Sequence, residues 1–538
     1  MMRRSTVMCG AVLLAALGLA CRDSPAGPEP CPEPRLAAGA APFGASLARP
    51  GGPPIQSIHS PFHDAFAAAG AEFDVPPALL AAVAWVETRW RMVEGVEEFP
   101  GRPPAFGVMA LRGARLERGA VLAGVTVEQA RHEPLASVRA AAALMDRDAH
   151  AKGIDRSAAA AWAEVVAAAS GIDLPQGRAA YVRAVNAALE RGGRAPDRAA
   201  GAARDAQQDV PCPEPEPDTG APDYQPAVWR PSPNFNERPA DATGAIHAII
   251  VHTCEGNYAG CWSWLVNPIS QVSAHYVVDE DGAEISQLVR EPDRAWHIAA
   301  LYDCSLNRAH DCGLNDVQSN DFTVGIEHAG FASQEAFPAS QIEASAALVC
   351  DITRDRGIPR DWQHILSHAQ LQPEDRTDPG PNWPWVHYLH RIQAHCGELV
   401  VDDDDSLNLA GAGAAEIPAE WPATDQSPDY YGGGYRWAPT QPDAADAAVF
   451  RFHLDASATR TLDARWTSGA NRSARAAYSV ITAAGDTLAT IAMDQTEGGG
   501  EWHALGTWSF PAGWNRVVLE RRDAAGTVVV ADAVRVRQ

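Results

Sequence analysis

The spacing of apolar positions changes character along the chain, and each change marks a domain. Residues 55–200 are Ala-rich with apolar positions at helical intervals. Leu80, Val83, Ala84 and Glu87 fall at i, i+3, i+4 and i+7, and Pro76-Pro77 suits a helix start, which predicts a helix through Trp90. From 245 to 400 short apolar strands alternate with loops, with one helix at about 339–357, an α/β pattern. Ala248-Ile249-Ile250-Val251 is a continuous apolar run and predicts a buried strand. From 417 to 538 only short alternating strands occur, parted by Gly, Asp and Asn turns, as in an all-β sandwich. The proline-studded stretch 201–244 and the acidic stretch 401–416, with its run Asp402–Asp405, read as solvated linkers. The expected architecture is therefore an all-α domain, a mixed-sheet α/β domain and an all-β sandwich.

Composition narrows the function. The 538 residues carry 43 Lys and Arg against 68 Asp and Glu, a net charge of −25. With no basic stripe to neutralise phosphates, a nucleic-acid partner is disfavoured. Arg3 and Arg4 precede an apolar run from Val7 to Ala20, too short to span a bilayer and suited to a signal peptide over residues 1–21. Cys21 follows Leu17-Gly18-Leu19-Ala20, which resembles a bacterial lipoprotein signal. A lipid at Cys21 would tether the protein through the Pro/Gly-rich linker 22–54, the expected membrane contact of an exported, monomeric envelope or extracellular protein. The eight cysteines after Cys21 form an even set in an oxidising compartment, where disulfides are expected. Short spacings suggest 254 with 261 and 304 with 312, leaving 350 with 396; Cys31 and Cys212 each begin a Cys-Pro-Glu-Pro string on either side of the first domain.

The α/β region carries the candidate chemistry. His252 stands at the C-terminal end of the apolar run, His368 closes Ile365-Leu366-Ser367, and Asp378 lies in the turn sequence Asp378-Pro379-Gly380. Two imidazoles and one carboxylate from separate loops are the donor set of catalytic zinc sites, which keep a fourth position for water. The segments Ile249-Ile250-Val251-His252-Thr253, Val272-Ser273-Ala274-His275-Tyr276-Val277-Val278, Ala295-Trp296-His297, Val324-Gly325-Ile326-Glu327 and Ser367-His368 through Asp378-Pro379-Gly380 occur in that order. Together they resemble the zinc N-acetylmuramoyl-L-alanine amidases, a family shared with phage amidases and peptidoglycan recognition proteins.

The resemblance implies one zinc ion on His252, His368 and Asp378, and cleavage of the amide between N-acetylmuramic acid and the L-alanine of the peptidoglycan stem. It implies Glu327 as the residue that moves protons, Arg376 in the place of a family lysine facing the developing oxyanion, and His297 along the substrate groove. A non-catalytic peptidoglycan recognition protein is the alternative, although such relatives usually lack a metal ligand and all three are present here. His275 and His364 read as packing or surface histidines.

In the Ala-rich region, the stretch through Glu87-Thr88 and Phe106-Gly107-Val108-Met109 resembles the lysozyme-like lytic transglycosylases, in which one glutamate serves as acid and then base. That implies Glu87 as a second catalytic residue. Trp162 and Ala169-Ser170-Gly171 fall roughly where that family has a tyrosine-asparagine element. In the last region, Tyr430-Tyr431-Gly432-Gly433-Gly434-Tyr435-Arg436-Trp437, Asn471-Arg472, Trp502 and the final strand resemble the golvesin C-terminal-like sandwich, whose aromatics could stack on sugars or simply fill the core.

Overall fold

A computed structural model of the chain describes residues 60–191 and 220–538. The expected signal peptide, Cys21, Cys31 and Cys212 lie outside the described residues.

Among the described residues the N-terminal domain has seven α-helices: α1 (His63–Phe73), α2 (Pro77–Thr88), α3 (Gly113–Ala123), α4 (Val127–His132), α5 (Pro134–Lys152), α6 (Trp162–Ala169) and α7 (Pro175–Arg191). Pro77 opens α2 where a missing N–H costs nothing. The helix stops earlier than its apolar pattern suggests, because Arg89 and Trp90 both take left-handed conformations, with φ of 54° and 59°. Trp90 folds back, its Nε1 donating to the Ala81 carbonyl at 2.7 Å. Thr88 ties the helix end to the next segment by donating to the Ala84 and Val108 carbonyls at 3.0 and 2.8 Å. Leu79, Leu80, Val138, Leu144, Trp162 and Val185 make the core. This region also holds a small antiparallel sheet, β1 (Val93–Glu94), β2 (Ala105–Gly107) and β3 (Leu111–Arg112). Strands of two or three residues are too short to show a period, so the pattern read as helical throughout.

The central domain carries a six-stranded sheet. Its strands in chain order are β4 (Val228–Trp229), β6 (Ala248–Thr253), β7 (Tyr276–Val278), β8 (Ile285–Gln287), β10 (Thr323–His328) and β11 (Ile365–Ser367); β5 (Phe235–Glu237) and β9 (Asp293–Ala295) pair separately. The order across the sheet is β11-β6-β10-β7-β8-β4, with β6 parallel to both its neighbours. All six residues of β6 are buried, as its apolar run predicts. Besides the expected α10 (Ala339–Arg356), helices α8 (Tyr258–Leu265), α9 (Ser319–Phe322), α11 (His368–Leu371) and α12 (Trp385–His395) surround the sheet. Residues 220–244, expected as linker, are structured: β4 extends the sheet beside β8 and β5 pairs with β9. The three expected disulfides form, Cys254–Cys261, Cys304–Cys312 and Cys350–Cys396.

After α12 the chain passes directly into β12 (Glu398–Asp402), which pairs with the last strand, Ala533–Arg537. The acidic stretch 401–416 is thus part of the sandwich rather than a solvated spacer. Asp402 and Asp403 are 2% and 6% exposed, and burial, with Asp402 and Asp532 beside it, pushes the Asp403 carboxyl up to about 10. Antiparallel sheets of four, five and three strands build this domain, whose core includes Trp421, Phe450, Phe452, Trp466 and Tyr478. Tyr430, Tyr431 and Tyr435 are buried, so they pack the fold and present no stacking face.

Candidate metal centre

Parallel pairing brings the candidate donors to one sheet edge. Glu327 on β10 stands in register with His252 on β6. On the other side Ser367 pairs with Val251, so His368, the next residue, emerges beside His252. Ser367 caps α11 by accepting from the Gln370 N–H at 3.0 Å, which fixes the direction in which His368 leaves the strand. Asp378 returns to the same point because its carbonyl accepts from the Ala369 N–H at 3.0 Å. Gly380, at φ 101°, lets this return pass the neighbouring chain: a Cβ there would meet the Ala332 carbonyl oxygen at 2.0 Å.

The three groups converge in a buried pocket. His252 Nδ1 lies 3.0 Å from His368 Nδ1 and 3.0 Å from Asp378 Oδ2, and His368 Nδ1 lies 3.2 Å from that oxygen. Donors bound to one tetrahedral ion at about 2.0–2.1 Å stand about 3.3 Å apart, close to these separations.

The hydrogen bonds behind the donors indicate where the imidazole protons sit. The Thr323 hydroxyl donates to the Ser319 carbonyl at 2.7 Å, so it accepts from His297 Nε2 at 3.1 Å. His297 Nδ1 is then an acceptor and takes the Nε2–H of His252 at 3.0 Å. Gln372 is oriented by its amide donating to Asp375 at 2.8 Å, which leaves its Oε1 to accept the His368 Nε2–H at 3.3 Å. Both Nδ1 atoms therefore face each other beside a carboxylate, an arrangement that repels unless a proton or a metal cation sits between them. Burial works against charge on His368, yet the carboxylates of Asp378 and Glu98 outweigh it and push its pKa up to about 10. The pocket calls for positive charge, and these donors fit a metal ion.

Glu98 is the member that sequence reasoning missed. It comes from the N-terminal domain, in the loop between β1 and β2, and is 5% exposed. Its Oε1 lies 3.3 Å from His368 Nδ1, and it completes a set of four donors, Glu98, His252, His368 and Asp378, close enough to share one ion. In the sequence Glu97-Glu98 looks like ordinary loop charge.

The other expected residues lie near these donors. His297 sits behind His252, orienting it, and packs over Gly325, where a Cβ would meet its ring at 2.4 Å. Glu327 is 1% exposed, its Oε2 lacks a hydrogen-bond partner, and burial with Glu98 and Asp378 nearby pushes its pKa well above the carboxylate range. Arg376 is held by the Asp375 carbonyl at 3.0 Å, and its Nε lies 3.9 Å from Glu98. His275 and His364 are both buried: His275 Nδ1 accepts from the Gly325 N–H at 3.0 Å, and His364 Nδ1 lies 2.5 Å from Asp361.

Glu87 lies apart from the metal centre. It lines a cavity of about 400 Å³ between the N-terminal and central domains. Tyr181 on α7 donates to its Oε1 at 2.6 Å and Asn257 of the central domain to its Oε2 at 2.9 Å. Burial raises its pKa against the pull of these two bonds and of Arg112 and Arg102. The structure places Tyr181, not the Trp162 or Ser170 region, beside this carboxyl.

Comparison with known proteins agrees with the geometry. Residues 242–381 match the N-acetylmuramoyl-L-alanine amidase family and residues 400–538 match the Golvesin C-terminal domain. The chain is 28% identical over 176 residues to the 1,6-anhydro-N-acetylmuramyl-L-alanine amidase AmpD of Citrobacter freundii, covering 29% of this chain and 86% of that protein. It is 27% identical over 225 residues to a xanthan lyase of Bacillus sp. (strain GL1), covering 40% of this chain but 22% of that protein. Against N-acetylmuramoyl-L-alanine amidase A of Achromobacter lyticus the identity is 32% over 193 residues, covering 32% of this chain and 98% of the relative. Nearly the whole of that enzyme thus has its counterpart here, and the chain belongs to the N-acetylmuramoyl-L-alanine amidase family.

Proposed function

We propose that this protein is an exported peptidoglycan hydrolase that cuts the amide between N-acetylmuramic acid and the L-alanine of the stem peptide, using one zinc ion on His252, His368 and Asp378. The observation that carries this reading is the pair of opposed Nδ1 atoms beside Asp378, each ring fixed by a hydrogen bond on its far side. A zinc ion there would lower the pKa of a bound water and polarise the amide carbonyl. With a metal cation favouring its ionised form, Glu327, one strand over from His252, would take a proton from the attacking water and deliver it to the leaving amine. Arg376 directs a permanent cation toward the developing oxyanion, with a planar fork in place of the family lysine's point charge.

The N-terminal domain adds a second, glycan-directed role in this proposal. We read it as lysozyme-like, with Glu87 as a single acid/base, because burial raises its pKa and Tyr181 holds its orientation. The golvesin-like domain serves wall attachment, and Cys21 carries a lipid anchor. Digestion of purified sacculi separates these readings when products are identified by mass. Free stem peptides mean amidase, anhydro sugars mean transglycosylase, and neither, with zinc bound, means a recognition protein. A Cys21→Ala protein that stays with membranes would remove the anchor.

A further inference from the structure

The N-terminal domain does more than adjoin the metal centre: it fills it. The loop between β1 and β2 enters the central domain, and four contacts seat it. Glu98 reaches the metal donors, with Oε1 3.3 Å from His368 and Oε2 buried without a hydrogen-bond partner. Phe99, 5% exposed, packs in one apolar cluster with the Cys254–Cys261 disulfide, Trp262, Leu265 and Ala274 of the central domain. The Val96 N–H donates to Glu255 Oε2 at 3.1 Å, while Glu255 Oε1 accepts from Ala332 at 2.7 Å, so one central-domain carboxylate clasps the loop to its own backbone. Arg102, half-buried, is close enough to Glu327 and Glu255 to interact with both charges, and Gly256 leaves the room that its guanidinium and that of Arg112 occupy.

We propose that Glu98 is a fourth, removable metal donor and that the Val93–Arg112 hairpin is a built-in inhibitor of the amidase site. The inference rests on the metal-centre reading above. A catalytic metal site keeps its fourth position for water, and a carboxylate placed there leaves water and the scissile carbonyl nowhere to bind. Covalent linkage favours the occupant, because an intramolecular group competes at an effective concentration on the order of millimolar without a free partner. The same interface covers the other candidate centre, since Asn257 of the central domain bonds Glu87. The closed form is latent, and activity requires the N-terminal domain to leave.

The test uses the full chain loaded with cobalt(II), whose visible absorption reports donor number, beside the zinc form assayed on muropeptides. Two variants probe the contact. Glu98→Ala removes the donor. Gly177→Leu acts at a distance, on α7, where a Cβ would meet Ser263 of the central domain at 2.6 Å and the Ile172 side chain of its own domain at 2.7 Å, and so wedges the domains apart with Glu98 intact. Both variants are expected to keep one metal per chain, to shift the cobalt spectrum from that of the wild type, and to release stem peptide about tenfold faster or more. An unchanged spectrum in Glu98→Ala, loss of its metal, or slower release with metal retained would each overturn the proposal. Spectra that shift while no protein releases stem peptide would support Glu98 as a donor and sink the amidase reading instead.

Discussion

Glu98 Oε1 and His368 Nδ1 stand 3.3 Å apart although they belong to different domains, one on a loop of the helical domain and the other at the end of the parallel edge strand β11. The contact joins the two halves of the molecule at the point where the chemistry is expected, and it sets the terms on which several measurements can be read.

His297→Ala should weaken metal binding without touching a donor. The imidazole that fixes the His252 tautomer would be gone, and such supporting groups typically contribute about ten- to a hundredfold in affinity. Competition against a chelator of known affinity checks this; unchanged affinity would mean that the Thr323–His297–His252 chain does not orient the ligand.

Glu327→Gln should keep the metal and lose turnover, by about 10²- to 10⁴-fold, the usual contribution of a positioned acid/base. Metal content and stem-peptide release measured on one preparation separate this from loss of the site. Release at the wild-type rate would move the proton-transfer role elsewhere.

Contact between the domains should weaken as pH rises. Burial pushes Glu255 from 4.5 up to about 7, against the N–H groups of Ala332 and Val96 and with Glu98 and Arg112 facing it. Arg102 also faces this carboxylate. A carboxyl raised in the closed form supports that form fully below 4.5, and the support is lost as pH climbs through about 7. Hydrogen exchange of the amides from 93 to 105 should therefore quicken across this window in wild type beyond its intrinsic pH trend, and Glu255→Gln should remove the excess. Equal profiles would assign the contact's strength to other groups.

Glu87→Gln should abolish any anhydro sugar products while leaving stem-peptide release intact, and Tyr181→Phe should reduce them by removing the hydroxyl that donates to the carboxyl. Identical product profiles from all three proteins would leave the N-terminal domain a glycan-binding or purely covering role.

Much of the central site is legible in the sequence because its parts lie at the ends of apolar runs. His252 follows Ile249-Ile250-Val251 and His368 follows Ile365-Leu366, so strand ends can be located, and parallel pairing carries both residues to the same edge. The hairpin loop offers no such handle. Glu98 sits between strands of two and three residues, its neighbours are Glu97 and Phe99, and its partner lies in another domain. The same blindness hid Tyr181, which meets Glu87 only because α7 packs on α2, and the burial of Asp402 and Asp403, whose strand finds its mate at the far end of the chain. Pattern reveals what a segment needs locally; it is silent about which distant surface will supply it.

Asn257 reaching Glu87 from across the boundary has a consequence for timing. Since one embrace shields both acidic centres, a single parting would bare the pair at once, and the glycan and peptide cleavage proposed for them would start together at the same spot on the wall rather than answer to separate cues.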